Sequence, residues 1–444
     1  MSERKLNSPW AWVPTLYFAE GIPYFIVNVI SVTMFKRLGM SNGDLAMYTS
    51  LLYLPWVIKP LWSPFVDVIR TKRWWILAMQ LLITLGFAAL ALSVSPDSFG
   101  FSLVCFYIVA FASATHDIAA DGYYMIALDK RRQSLFVGIR STFYRIASVF
   151  GQGIIVVMAG VLEERLGDIP RAWSLTLGAS SVIFAALALW HLFALPKVES
   201  PAGGPGSQSE TAEAESRSAG DQSQAGNPNP AGQSETARIF RDFARAWKSF
   251  FLKDGVWLAI VFMLLYRLPE AFSVKMLTPF LLDEPSAGGL GLSTAQSGLV
   301  YGTVGVIALT IGGILGGVFA ARHGLRKSLW PMSLALALPC AVYLYMAVAQ
   351  PSELWVVYFC VAFDQFGYGF GFTAYTLYMM HFSEGEFKTS HYAICTAFMA
   401  LSMMLPGLFA GWIQEAVGYT GFFIIVMICC LATVFVTLFA RRRC

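Results

Sequence analysis

Long apolar runs recur along this chain, separated by short polar connections. A membrane-crossing helix needs about 20 mostly apolar residues. Runs of that kind occur at Trp10–Phe35, Leu45–Val66, Trp74–Val94, Phe101–Leu128, Ser134–Val161 and Ala172–Leu195. They resume at Val256–Leu282, Ser293–Ala321, Leu329–Val348, Leu354–Met380, His391–Val417 and Phe422–Ala440. The pattern predicts an all-α membrane protein with twelve spans, several of them long enough to tilt. One polar stretch is far longer than the others. Glu199–Ala237 has no aromatic and almost no aliphatic residue, so it lacks the apolar surface that folding requires. In the stretch that follows, Phe240, Phe243, Trp247, Phe250 and Phe251 recur at helical steps against Arg238, Arg241, Arg245 and Lys248. That alternation predicts an amphipathic helix on the membrane surface. The expected organisation is a six-helix half over 1–196, a disordered linker over 197–237, an interfacial helix over 238–253 and a second six-helix half over 254–444.

Composition supports the membrane reading. Of 444 residues, 57% are hydrophobic and 13% charged, against about 25% charged in soluble domains. The net charge of +4 gives no reason to expect nucleic acid. The N-terminal MSERKLNS leads into an apolar run too long for a signal-peptide core, so that run is expected to stay as the first span. Basic residues concentrate in one set of connections, including Arg70/Lys72/Arg73, Lys130/Arg131/Arg132, Arg322/Arg326/Lys327 and Arg441/Arg442/Arg443. The opposite set holds Lys36/Arg37 and Arg165/Arg171. Positive residues favour the cytoplasm, so both termini and the linker are expected there. Seven cysteines show no metal-ligand spacing with histidine, and there is no P-loop or Gly-x-Ser-x-Gly. No metal, cofactor or enzymatic activity is expected, and ion-coupled or passive transport is the remaining energetics.

Charges inside the spans are the candidate chemistry. An ionisable group in hydrocarbon costs roughly 2.5–3.5 kcal/mol on insertion scales, so such groups face a cavity or one another. Asp117 and Asp121 lie four apart on one face of the fourth span. The fourth and fifth spans form a hairpin closed by Asp129–Gln133, which puts Asp121 level with Arg140 and Asp117 level with Arg145. Arg140 and Arg145 are five apart and point in different directions, so one pair is expected to form without the other. Arg140–Asp121 reads as a structural clamp or a site pair, Asp117 and Arg145 as cavity groups. Glu20 sits beside Gly21 and Pro23 in the first span, and Arg267 and Glu270 flank Pro269 in the seventh. Matched interruptions in equivalent spans point to a midplane site, although ordinary proline kinks have the same appearance. Asp364 and Gln365 lie midway along the tenth span, among glycines that also suit close helix packing. His116, beside Asp117, is a candidate relay or a satisfied polar residue. Lys59 and Lys275 are expected to snorkel toward the headgroups.

Gly317–Lys327 reads GVFAARHGLRK, and the connection after the second span reads SPFVDVIRTKR. Both resemble the loop motif of the major facilitator superfamily. The matching gating positions are Asp67 and Arg70 in the first half and Gly317, Arg322 and Gly324 in the second. Further stretches resemble the AmpG-type muropeptide permeases and their acetyl-CoA-transporter relatives: FAEGIPYFI, KPLWSPFVD, SATHDIAADGYYMIAL, GIRSTFYRIASVFGQG, LLYRLPEAFSVKMLTPFLL and GGVFAARHGLRKS. The resemblance implies a proton-coupled importer of GlcNAc-anhydro-muropeptides in the inner membrane of a Gram-negative bacterium. It places Asp117, Asp121, Tyr144 and Arg145 in an N-half site and Arg267 and Glu270 in a C-half site. Taken together, the proton-coupling candidates are Glu20, Asp117, Asp121, Glu270 and Asp364. The substrate-binding candidates are Tyr144, Arg145, Arg267 and Gln365, with Arg140 as a structural partner. The expected partners are a muropeptide or amino sugar, protons and the bilayer, with the chain a monomer. The alternatives are transport of another solute, such as a nucleotide conjugate or siderophore, and a non-transporting sensor.

Overall fold

The computed structural model describes residues 8–198 and 235–442. Helix follows helix, and the described residues contain no strand. Among the described residues, nine helices are long and apolar enough to cross a membrane. One of them, Lys388–Ala440, is two spans in a single run, broken where Gly418 turns to φ 71°, a conformation that glycine adopts without a Cβ penalty. Two further helical segments complete the expected set. The second span is split into Asn42–Leu51 and Leu54–Val68, each too short alone. The tenth, Leu354–Phe382, is 29 residues long, but Asp364, Gln365 and its glycines dilute its apolar character.

The interruptions expected at mid-span are present in two forms. The seventh span breaks outright. Val256–Leu265 ends, Arg267 takes φ −101° and ψ 11°, and Leu268–Leu282 begins with Pro269 in its first turn, where a missing N–H costs nothing. The first span does not break at Gly21 and Pro23. Pro9–Phe25 runs on into a π-turn at Ile26–Ile30 and then Ser31–Arg37. Matching π-turns interrupt the fifth span at Phe150–Ile155 and the eighth at Gly298–Gly305. Such turns are frequent at functional sites.

The cores follow the halves. Ile22, Phe35, Phe87, Phe106 and Trp173 pack together in the first half. Phe280, Tyr343, Phe422 and Phe423 pack in the second. In the second half the glycines are packing residues. A Cβ on Gly312 would strike the Phe366 carbonyl, one on Gly369 the Leu309 carbonyl and one on Gly367 the Ala335 carbonyl.

The amphipathic helix is present and begins at Glu235, three residues before its expected start. It does not lie on lipid alone. Phe250 and Ala246 are fully covered, and Phe250 packs on Phe382, His391 and Phe398. Phe240 reaches the other half, its ring 5.2 Å from that of Phe65. The first seven residues and most of the expected linker lie outside the described residues, as does the side chain of Asp67.

Candidate transport site

The first half gathers its charges around the fourth span. Arg140 Nη2 donates to Asp121 Oδ1 at 2.8 Å, and Tyr17 Oη donates to the same oxygen at 3.3 Å. The Arg140 guanidinium stands 4.5 Å from the centre of the Tyr17 ring. Their shared depth in the hairpin predicts this pair. The pair of Asp117 with Arg145 does not form. Asp117 Oδ2 instead accepts from Trp56 Nε1 at 3.1 Å and Lys59 Nζ at 3.5 Å. Lys59 therefore points into the protein, where an acid at its own depth competes with the headgroups; the expected snorkelling is overturned. Among the described residues, two buried carboxylate oxygens have no hydrogen-bond partner, Asp117 Oδ1 and Glu20 Oε2. Glu20 lies within electrostatic reach of Asp117, Asp121, Arg140 and Lys59. Exposure falls along this set, from 39% for the Asp121 side chain to 15% for Asp117 and 7% for Glu20. The cluster is open at Asp121 and closes toward Glu20.

The second half presents a closed pair. Arg267 grips Glu270 with two hydrogen bonds, each 2.7 Å, the fork geometry that suits a carboxylate. Arg267 Nη2 also donates to Tyr368 Oη at 3.0 Å, and its guanidinium faces the Phe372 ring at 4.9 Å. The break at Arg267 turns this side chain back onto Glu270 three residues on. Asp364 Oδ2 accepts from Tyr343 Oη at 2.6 Å and Gln365 Nε2 at 3.1 Å. Gln365 thus holds Asp364. A water-sized cavity lies between Glu270, Ser273, Tyr343, Asp364 and Tyr368.

Tyr24 links the two clusters. It stands within electrostatic reach of Arg267, Glu270 and Asp117 alike, and its ring packs edge-on against Trp56 at 5.1 Å. Tyr144 sits beside Phe25, ring centres 5.7 Å apart. Arg145 has no hydrogen bond or ion pair among the described residues, and lies within electrostatic reach of Tyr144 and, across the interface, Tyr368. His116 is not directed at Asp117. Its Nε2 bonds Gln80 at 3.0 Å, and Gln80 in turn bonds His191, a buried polar network inside the first half.

Of the gating positions, Arg70 is exposed and stands 5.8 Å from the Trp74 ring. Arg322 is exposed, Gly317 has open space around it, and Gly324 ends its helix at φ 75°. The described contacts do not bring these residues together. The sequence reading missed Tyr17, Tyr24, Trp56, Tyr343 and Tyr368. The three-residue step from Trp56 to Lys59 was the available signal, since it puts an indole donor and a cation on one helix face.

It also missed the seal between the halves. Lys36 pairs with Asp283 at 2.6 Å. Asn42 Nδ2 donates to Gln414 Oε1 at 2.7 Å and Tyr419 Oη at 3.0 Å, and the Gly43 N–H donates to Glu415 Oε1 at 2.7 Å. Glu163 accepts from Thr294 of the other half at 2.7 Å and from Trp173 at 2.7 Å. These bonds sit at the end remote from the termini. The molecule is sealed there.

Two repeats of helices around an interior polar site, sealed at one end, define a secondary transporter. The sequence model of the Major Facilitator Superfamily matches residues 15–268 and again 268–443, and the chain belongs to that superfamily. It is a multi-pass membrane transporter, similar to known permeases rather than to enzymes. The anhydromuropeptide permease of Escherichia coli (strain K12) is 24% identical over 416 residues, covering 92% of this chain and 75% of that protein. Putative transporter AmpG 4 of Rickettsia conorii is 22% identical over 452 residues, covering 96% and 95%. Among solved structures, an inward-facing, unoccupied bacterial homologue of the human lysosomal transporter Spinster aligns with a TM-score of 0.68 at 14% identity, covering 99% of this chain and 97% of that one. The nucleoside transporter NupG aligns with a TM-score of 0.66 at 14% identity, covering 99% and 98%. These structural likenesses concern the fold.

Proposed function

We propose that this chain is a proton-coupled importer of GlcNAc-anhydro-muropeptides, resident in the inner membrane with both termini and the linker on the cytoplasmic side. The observation that carries the reading is the pair of orphaned carboxylate oxygens on Glu20 and Asp117, set in a cluster that reaches water through Asp121. A buried carboxylate oxygen without a donor is costly, and a bound proton removes that cost. Asp117 and Glu20 therefore carry the coupled proton. Protonation of Asp117 frees Lys59, and re-forming that pair expels the proton. Arg145 meets a carboxylate of the solute, and the Arg267–Glu270 pair opens to admit or release it. Tyr24, Tyr144 and Tyr368 supply the flat faces and hydroxyls that sugar rings require. The similarity to an anhydromuropeptide permease over most of the chain supports the choice of solute.

Uptake of labelled anhydro-muropeptide by proteoliposomes containing the full chain tests the solute. Saturable uptake, competed by unlabelled muropeptide and untouched by nucleotide conjugates or siderophores, is the expected result. Competition only by solutes of another class would replace the muropeptide.

A further inference from the structure

Lys275 lies in the seventh span, about two helical turns inside the sealed end, and is 1% exposed. Among the described residues, no carboxylate pairs with it. Its ammonium donates to Thr49 Oγ1 of the second span at 3.2 Å and faces the Tyr53 ring at 5.0 Å. Beside it is Ser50, whose Oγ is buried and has no hydrogen-bond partner. The eleventh span closes over both. A Cβ on Gly407 would lie against Ser50 Oγ and 3.1 Å from Lys275 Cγ. A buried ammonium held by one hydroxyl and one ring is poorly compensated, because taking an ion out of water is costly. Thr49 Oγ1 accepts from the ammonium and donates to the Leu45 carbonyl at 2.7 Å, so the Ser50 hydroxyl is the donor left beside this cation.

We propose that Lys275, which the sealed state holds against Thr49 and beside Ser50, captures a carboxylate of the incoming solute when the remote end opens. The seal above it consists of Lys36–Asp283 and the Asn42 bonds. Parting these halves separates Thr49 and Ser50 from Lys275 and lets water and solute reach the ammonium. Closure brings the eleventh span back against Ser50 and Lys275, which leaves no room for the carboxylate and passes the solute inward toward Arg145 and Arg267. The choice of a carboxylate rests on the muropeptide reading; the capture of an anion does not.

Two measurements on the full chain separate those claims. In a background without native cysteines, Ser50→Cys is labelled from the remote side with methanethiosulfonate reagents of opposite charge. The anionic reagent is expected to react faster than the cationic one, and Lys275→Gln to lower that ratio about tenfold while Lys275→Arg preserves it. An unchanged ratio in Lys275→Gln, or no labelling from the remote side, would overturn the site whatever the solute. The second measurement is uptake of anhydro-muropeptide and of its carboxamide. Lys275→Gln is expected to raise KM for the acid and leave that of the amide unchanged. Equal changes for both would remove the carboxylate, and absence of uptake by the wild-type chain would count against the muropeptide alone.

Discussion

At the residue scale, the two clusters differ in how they tolerate loss of a charge. Asp117 has one oxygen engaged by Trp56 and Lys59 and one free. Asp117→Asn keeps the shape and can still accept from Trp56, but does not bind and release a proton. It is expected to abolish uphill accumulation while sparing solute exchange in counterflow; undiminished accumulation would take Asp117 out of the coupling. The Arg267–Glu270 pair is buried on both sides, with side chains 7% and 8% exposed. Removing one partner leaves an uncompensated charge, at a cost of about 3–5 kcal/mol. Arg267→Met is therefore expected to lower the melting temperature in detergent more than Arg267→Met combined with Glu270→Met does. A double variant no more stable than the single would show that the ions are not energetically coupled. The sequence showed that these charges lie deep, because position within an apolar run reports depth. It did not report direction. Lys59 and Lys275 were misread for that reason: a lysine near a headgroup region reaches outward unless a neighbouring helix offers an acid or a hydroxyl, and that neighbour is a tertiary fact.

At the element scale, the spans were legible from length and apolar content alone, and the amphipathic helix from its period. The breaks were legible only in part. Pro269 marked a true interruption, whereas Pro23 lies inside a continuous helix that loosens a few residues later. Glycine positions were visible, but their partners were not. A Cβ on Gly411 would strike the Asn42 carbonyl, and one on Gly302 the Gln152 carbonyl. Both contacts join the halves, so both glycines belong to the sealed state. Gly411→Leu is expected to hold the remote end open, seen as increased labelling of a cysteine at Ser50 from that side and reduced transport. Retained transport with unchanged labelling would show that the eleventh span shifts to accommodate the side chain. The surface helix also takes part in the fold, since it touches Phe65 of one half and Phe382 of the other.

At the scale of the whole molecule, alternating access requires the seal to be breakable. The described bonds that join the halves at the remote end are few and polar, with Lys36 and Asp283 partly exposed at 14% and 18%. A partly exposed ion pair of that kind is weak individually and is exchanged for water when the halves part. Lys36→Ala and Asp283→Asn are each expected to shift the population toward the remote-open state, and the charge-reversed pair Lys36→Asp with Asp283→Lys to restore it. Distances between spin labels on the two halves read this directly; no shift would make the ion pair incidental to the seal. None of this was visible in the sequence, because Asn42 and its partners are hundreds of residues apart and each looks like an ordinary loop polar group. The interior site was foreseen as a set of charges because hydrocarbon makes any charge conspicuous; the seal lies where water makes polar residues commonplace.

The central claim is that proton flow drives solute accumulation. It is tested most directly by loading proteoliposomes so that their interior is alkaline relative to the medium and following labelled anhydro-muropeptide, with a proton ionophore as control. Accumulation above the external concentration is expected, collapsing to equilibration when the ionophore is added. Uptake that reaches only the external concentration with the gradient intact, and is unaffected by the ionophore, would contradict it.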